Sequence, residues 1–119
     1  MSDPGVSAAD DGAMLGEVAT RLLFENRRVR VWEMDLEPGE ASALHRHALD
    51  YVLVILEGDR IAARAPGDGP AARASDIEAE VRPGQVFFVE AGNTETAVNV
   101  GRRRYHEILI ELKDGAGSA

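Results

Sequence analysis

Two histidines one residue apart, His45 and His47, stand between a turn and an apolar run, and they restrict the fold more than any other feature of the sequence. Residues i and i+2 of a β-strand point to the same face, so a strand would present both imidazoles side by side. A helix would separate them by about 200°. Paired imidazoles suit a metal ion, but a bare His-x-His near a turn is also compatible with two surface histidines.

Short apolar runs separated by Gly and Pro turns continue along the chain. Residues 28–37 alternate so that Trp32, Met34 and Leu36 share one face, and the β-branched-rich run 51–56 enters a hairpin at Gly58. Such regular spacing predicts an all-β jelly roll or small barrel. The predicted strands are residues 20–24, 28–37, 51–56, 60–65, 85–89, 94–100 and 105–113, with a further strand from Ile77 after an alanine-rich stretch that also favours helix. For the first of these, the helical spacing of apolar residues between 14 and 23 leaves a helix possible.

The last predicted strand carries the third histidine. Its alternation places His106, Ile108, Ile110 and Leu112 on the apolar face. In that position His106 is a candidate third ligand or a catalytic base, and the alternative is a core histidine with one hydrogen-bond partner.

The histidine pair lies within a motif that resembles the first motif of the cupin superfamily: Gly, five residues, His-x-His, three residues, Glu, six residues, Gly. Gly39, His45, His47 and Gly58 match, and Tyr51 stands in place of the Glu. The likeness extends to small bacterial cupins, including a group associated with β-alanine degradation.

A second stretch resembles the other cupin motif. Gly84, Gly92 and Asn99 match its spacing, whereas Glu90 replaces the usual Pro and Glu95 replaces the usual His. The resemblance covers roughly residues 20–112. It implies the cupin jelly-roll barrel, a double-stranded β-helix.

The resemblance also implies an inward-facing site for a divalent metal ion such as Fe, Mn, Zn or Ni. Carried over to this chain, the metal ligands are His45, His47 and Glu95, two imidazoles and a carboxylate. Tyr51 would be a weak fourth ligand or a neutral phenol beside the metal. Asp50 could replace it if a bulge shifted the pleat. The predicted catalytic residues are Tyr51, Glu95 and His106.

Three functions fit this site. The first is a divalent-metal-dependent enzyme, an oxygenase or lyase, that acts on a small oxygen-rich molecule. The second is a metal-free isomerase or cyclase in which Glu95, Tyr51 and a histidine transfer protons. The third is a non-catalytic cupin that binds a small ligand. Arg30 and Arg64 could bind a substrate carboxylate if they pointed inward, and surface solvation is the alternative.

Composition limits the partners. The net charge of −8 argues against nucleic acid and anionic membranes, and the absence of cysteine excludes disulfides and thiolate sites. No apolar run reaches the roughly 18 residues of a membrane span, so a cytoplasmic protein is expected. Its expected partner is a small-molecule ligand. A lone barrel of this kind is expected to form a homodimer, for which Trp32, Phe87 and Phe88 offer aromatic area. The alternative is that they fill the core of the chain, and one of Phe87 and Phe88 is expected inside because adjacent strand residues face opposite ways.

Domain organisation is expected to be simple. Residues 1–13 are small, polar and acidic and predict a flexible N-terminal arm. A single cupin domain is predicted for residues 14–113, followed by a flexible tail at 114–119.

Overall fold

Nearly all of the regular secondary structure in the described chain is β-strand. The structure, a computed structural model, describes residues 15–113, so the predicted arm, the predicted tail and residue 14 of the predicted domain lie outside this range. The strands are β1 (Arg21–Glu25), β2 (Val29–Leu36), β3 (His45–Arg46), β4 (Tyr51–Glu57), β5 (Arg60–Arg64), β6 (Ile77–Glu80), β7 (Val86–Val89), β8 (Thr94–Asn99) and β9 (Tyr105–Leu112), and one short helix, α1 (Pro70–Ala74), precedes β6. The predicted strand from Ile77 is confirmed, and the alanine-rich stretch before it supplies the helix.

The strands form two antiparallel sheets. One has five strands in the order β1-β2-β9-β4-β7, and the other has four in the order β3-β8-β5-β6. Neighbours that are distant in sequence, such as β2 and β9, give the crossed connections of a jelly roll. The predicted all-β double-stranded β-helix is confirmed.

The inner faces of the two sheets form one core. Trp32, Met34 and Leu36 of β2 are buried, as the alternation of that strand predicted. They form a cluster with Ala97 of β8 and Leu109 of β9. Burial of apolar area contributes about 25 cal/mol per Å², so this alternation determines which face of each strand turns inward.

The prediction of which face of β9 points into the core is wrong. The buried residues of this strand are Tyr105, Glu107, Leu109 and Glu111, whereas its other face is only partly buried. His106 therefore lies on the face turned away from the core. Glu111 accepts a hydrogen bond of 2.8 Å from Trp32 Nε1, so a buried carboxylate takes a position that the sequence pattern assigns to the polar face.

Three aromatic side chains also differ from expectation. Trp32 is 6% exposed and belongs to the core, so it is not available to a partner. One of Phe87 and Phe88 was expected inside, yet they are 39% and 60% exposed. Their strand, β7, lies at the edge of its sheet, and of its four residues only Val89 packs against the core.

Gly58 and Asn99, the last residues of the two motifs, determine the packing near Tyr105. Gly58 adopts φ +137°, and a Cβ atom there would lie 2.9 Å from Tyr105 Cδ1. The buried Asn99 side chain donates to the carbonyl oxygens of Leu36 and Arg103 and accepts from Gly101 N. Gly58 thus leaves room for the Tyr105 ring, and Asn99 joins the loop before β9 to β2.

Candidate metal centre

Two paired strands bring the three predicted ligands together. His45 on β3 and Glu95 on β8 are direct partners in the antiparallel ladder. His47 follows two residues after His45, and its backbone N–H donates to Asn93 O at 2.8 Å. Both histidines are 1% exposed, and their rings meet edge to face with centroids 4.8 Å apart. The i, i+2 spacing therefore places both imidazoles on the inner face, as predicted.

Three ligand atoms converge between these side chains. Glu95 Oε2 lies 3.4 Å from His47 Nε2 and 3.7 Å from His45 Nε2. A ligand atom from each of the three residues lies within 4.8 Å of the others. These residues could hold a metal ion.

The hydrogen bonding of His45 directs one nitrogen toward this point. His45 Nδ1 lies 2.8 Å from the carbonyl oxygen of Ala43, which only accepts hydrogen bonds, so Nδ1 carries the proton. In a neutral imidazole Nε2 then presents its lone pair to the site. A backbone carbonyl on the distal nitrogen is a common support for a metal-ligating histidine.

The Glu95 carboxyl is held in its ionised form. Burial alone would raise its pKa, but hydrogen bonds and the charges of His45 and His47 outweigh this effect and lower the pKa to about 2. An ionised carboxylate facing the lone pair of a neutral imidazole is repelled unless a cation or a proton stands between them. The arrangement therefore requires either a protonated histidine or a metal ion.

Tyr51 and Asp50 take the orientations expected of an unbroken pleat. Tyr51 is 3% exposed, and its ring stacks on His47 with centroids 4.0 Å apart and planes at 23°. Burial, followed by the charges of Glu95 and Glu107, raises the Tyr51 pKa, which keeps the phenol neutral. Asp50 is exposed, and its Oδ1 accepts from Ala91 N at 2.8 Å. Asp50 is therefore not a substitute ligand.

The structure does not bring His106 to this site. Its Nε2 lies 2.9 Å from Glu33 Oε1 on the outer face of the neighbouring strand β2. The two candidate arginines are also paired elsewhere. Arg30 lies 3.3 Å from Glu25 and from Glu111, and Arg64 lies 3.3 Å from Asp76. The third histidine and the carboxylate-binding arginines are thus not part of the centre.

A cavity adjoins the candidate ligands. Its volume is about 120 Å³, and Glu95 and Tyr51 contribute to its wall. Most of the remaining wall is apolar, and the two other polar residues are Tyr105 and Glu107 of β9. Tyr105 Oη donates to Glu107 Oε1. The sequence analysis missed this pair because alternation alone assigned Glu107 to the solvent face.

The donor set fits a divalent ion. Zinc binds imidazole nitrogen and carboxylate oxygen at about 2.1 Å, so tetrahedral ligand atoms lie roughly 3.4 Å apart. The separations of 3.4 and 3.7 Å from Glu95 to the two imidazoles are close to that value. His47 Nδ1 is the one feature against the fit, because it is buried without a hydrogen-bond partner among the described residues.

Comparison with known proteins supports the assignment of the fold. No family model matches the sequence. A cupin domain from Bordetella pertussis Tohama I has a TM-score of 0.65 and 22% identity and covers 82% of this chain and 99% of its own. An oxalate oxidase solved with the substrate analogue glycolate has a TM-score of 0.54 and 18% identity, over 71% of this chain and 42% of its own.

One curated relative is also similar. Auxin-binding protein T85 of Nicotiana tabacum is 22% identical over 95 residues, which are 80% of this chain. The chain spans about half, 51%, of the length of that relative. Within residues 15–113, no helix is long and apolar enough to cross a membrane.

The chain has the cupin fold: its two antiparallel sheets form the double-stranded β-helix. In the cupin motifs that the sequence resembles, Tyr51 stands at the position of the Glu of the first motif, and Glu95 stands at the position of the histidine of the second.

Proposed function

We propose that this cupin is a divalent-metal-dependent enzyme that acts on a small oxygen-rich molecule, an oxygenase or a lyase by reaction class. The observation that carries the proposal is the convergence of His45 Nε2, His47 Nε2 and Glu95 Oε2, with His45 Nδ1 committed to the Ala43 carbonyl. Two neutral imidazoles and an ionised carboxylate are satisfied together by one cation, whereas a proton satisfies only one imidazole.

Different residues would bind the metal ion and line the cavity that holds the substrate. His45, His47 and Glu95 would hold the ion, which when bound supplies Lewis-acid or redox chemistry to an oxygen ligand. Tyr51 stacks on His47 and offers a phenol O–H that stays protonated at neutral pH. The apolar part of the cavity wall excludes water from a small substrate, which strengthens polar interactions inside it.

The size and chemistry of the cavity support a small substrate. A cavity of 150 Å³ in another protein holds benzene, so the volume of about 120 Å³ suits a molecule of roughly six non-hydrogen atoms or fewer. A protein of the same fold, the oxalate oxidase, was solved with glycolate, which is a small oxygen-rich molecule. This likeness supports the size class of the substrate only.

The test is metal binding by Glu95. Calorimetric titration of tag-free, chelator-treated protein with Zn²⁺ at neutral pH should show one site, and Glu95→Ala should weaken it by well over tenfold because one of three ligands is lost. Glu90→Ala is the matched control, since Glu90 is an exposed glutamate before the turn that leads into β8. Its affinity should equal that of the wild type.

Metal analysis of protein purified without a histidine tag identifies the natural ion. Equal affinities for wild type and Glu95→Ala, or no binding by either, would contradict the proposal. That result would favour the metal-free isomerase or cyclase, in which Glu95 pairs with a protonated His45 or His47.

A further inference from the structure

The side chain of Glu107 is buried beside the cavity with one oxygen unused. The residue is 4% exposed, and its Oε1 accepts from the Tyr105 hydroxyl. Among the described residues, Oε2 has no hydrogen-bond partner. The carboxyl group lies on the same cavity wall as Glu95 and Tyr51.

No cation neutralises this carboxyl group within the described part of the chain. Glu107 forms no ion pair there, and none of the described residues that line the cavity is a lysine or an arginine. An unpaired buried carboxylate is costly, so burial favours the protonated form of Glu107. Burial first, and then the charge of Glu95, raise the Glu107 pKa to about 7, while Tyr105 and His45 act in the opposite direction.

A protonated Glu107 has a hydrogen-bond donor that no described group accepts. Tyr105 fixes Oε1 as an acceptor, so the carboxyl O–H is available at Oε2. Because Glu107 lines the cavity, an acceptor that enters the cavity can receive this hydrogen bond. Tyr105 is itself 1% exposed, and its ring packs so closely against Gly58 that a Cβ atom there would lie 2.9 Å from Cδ1.

We propose that Glu107, positioned by Tyr105, is a second binding subsite that donates a hydrogen bond to an uncharged oxygen of the ligand, a carbonyl or a hydroxyl. The other end of the ligand reaches the His45, His47 and Glu95 centre. This inference rests on the proposed function for the role of that centre. It does not rest on a bound metal for the hydrogen bond at Glu107.

The polar residues of the cavity wall also restrict the charge of the ligand. Its polar residues are two carboxyl groups and two phenols, which offer no positive charge to an anionic group away from the metal centre. A ligand with a carboxylate at the Glu107 end would meet a neutral donor and the charge of Glu95, so an uncharged end is selected. A molecule of about five heavy atoms with neighbouring hydroxyl and carbonyl groups has the required size.

Hydroxyacetone is the probe, because it is uncharged and carries both groups. Binding is followed by NMR titration of the methyl groups of Leu109 and Ala97, which line the cavity. It is measured first on chelator-treated protein and then with Zn²⁺. Glu107→Gln keeps the shape and a donor and should bind within about threefold of wild type. Glu107→Leu removes the donor and should bind at least tenfold more weakly.

Two controls separate the hydrogen bond from other effects. Glu111→Gln alters a buried glutamate on the same face of β9 that does not line the cavity, and it should bind like wild type. Ethylamine, a smaller cation with three non-hydrogen atoms, fits the cavity by size and should not bind in place of hydroxyacetone.

The outcomes are distinct. Equal binding by Glu107→Leu and wild type, no binding of hydroxyacetone by wild type in either metal state, or binding of ethylamine that Glu107→Gln abolishes would each overturn the subsite. Failure of the Zn²⁺ titration with retained, Glu107-dependent binding of hydroxyacetone would remove the metal enzyme and leave the subsite standing.

Discussion

Glu95 replaces the histidine of the second cupin motif, and this exchange changes the charge of the site as well as one ligand atom. Because the backbone of β8 places position 95 beside His45, an imidazole there would reach the same point. Glu95→His should retain or tighten Zn²⁺ or Ni²⁺ binding, since both ions accept three imidazoles. Calorimetry against wild type measures this, and a loss of binding as large as that of Glu95→Ala would show that the carboxylate is specifically required.

Tyr51 offers a change confined to one hydroxyl group. Tyr51→Phe keeps the ring that stacks on His47, so the free energy of unfolding should change by no more than about 1–2 kcal/mol. Metal affinity or activity should change more, because the phenol faces the centre. Urea unfolding and metal titration of the same preparation separate the two effects. Unchanged metal binding and activity with reduced stability would assign Tyr51 to the core alone.

Glu107 gives a pH dependence of known sign. Its ordinary pKa of 4.5 rises to about 7 in the folded protein. The unfolded chain therefore releases this proton first, and stability falls as the pH rises from about 4.5 to about 7, by on the order of 3 kcal/mol. Glu107→Gln should remove that loss.

The comparison is made on chelator-treated protein by urea unfolding at pH 4 and pH 8. The stability of Glu107→Gln relative to wild type should be higher at pH 8 than at pH 4. Glu95 acts in the opposite direction, because its lowered pKa contributes stability that is lost as the pH falls from about 4.5 to about 2. The difference between variant and wild type removes this contribution to first order. A pH-independent difference would contradict the inward, protonated Glu107.

The convergence of the three candidate ligands was predictable from the sequence, whereas the Glu107 pair was not. His45 and His47 follow from spacing within one strand, and Glu95 follows from the position of the motif. Glu107 became recognisable only with its partner Tyr105 and with the cavity, which strands distant in sequence close together. Single-sequence alternation cannot distinguish a buried acid with a partner from an exposed one.

Strand β9 shows the same limit for a whole element. Its existence and approximate bounds were predicted, but its inward face was inverted because Glu107 and Glu111 occupy core positions. The side chains of a strand alternate between its two faces. A single error in the assigned inward face therefore inverts every residue of the strand. His106 was assigned inward for this reason, whereas β2, which has no buried acid, was assigned correctly.

A substitution at Gly58 tests how closely the β4–β5 turn packs against Tyr105. Gly58→Ala adds a methyl group 2.9 Å from Tyr105 Cδ1 at a φ of +137°, so the free energy of unfolding should fall by about 1–3 kcal/mol. Gly84→Ala is the control, since Gly84 has a φ of +93° but nothing within 4 Å of the added atom. Urea unfolding should show the larger loss for Gly58→Ala. Equal losses would mean that backbone strain alone explains both.

The exposed apolar residues of the edge strands concern the whole molecule. Val86 and Phe88 on β7 are 62% and 60% exposed, and Phe24 on β1 is also exposed. Edge strands with exposed apolar side chains readily pair with other chains. On this ground we propose that the protein forms the predicted homodimer. Light scattering at micromolar concentration should give twice the mass of the chain. Phe88→Glu should lower it, and the exposed Glu80→Lys on the other sheet should not.

A monomeric wild type would contradict the dimer. A dimer that persists in Phe88→Glu would place the interface elsewhere, with β1 as the alternative edge.

Strand β3, with only two residues at the edge of the four-stranded sheet, carries one candidate ligand and leads to another. Such short edges open often without unfolding the rest of a protein. An ion shared by His45, His47 and Glu95 would fasten this edge to β8, so release of the ion would require the edge to open. The His47 amide proton, bonded to Asn93 O, should then exchange with deuterium more slowly when the ion is present. Its exchange rate would report how long the protein retains its metal.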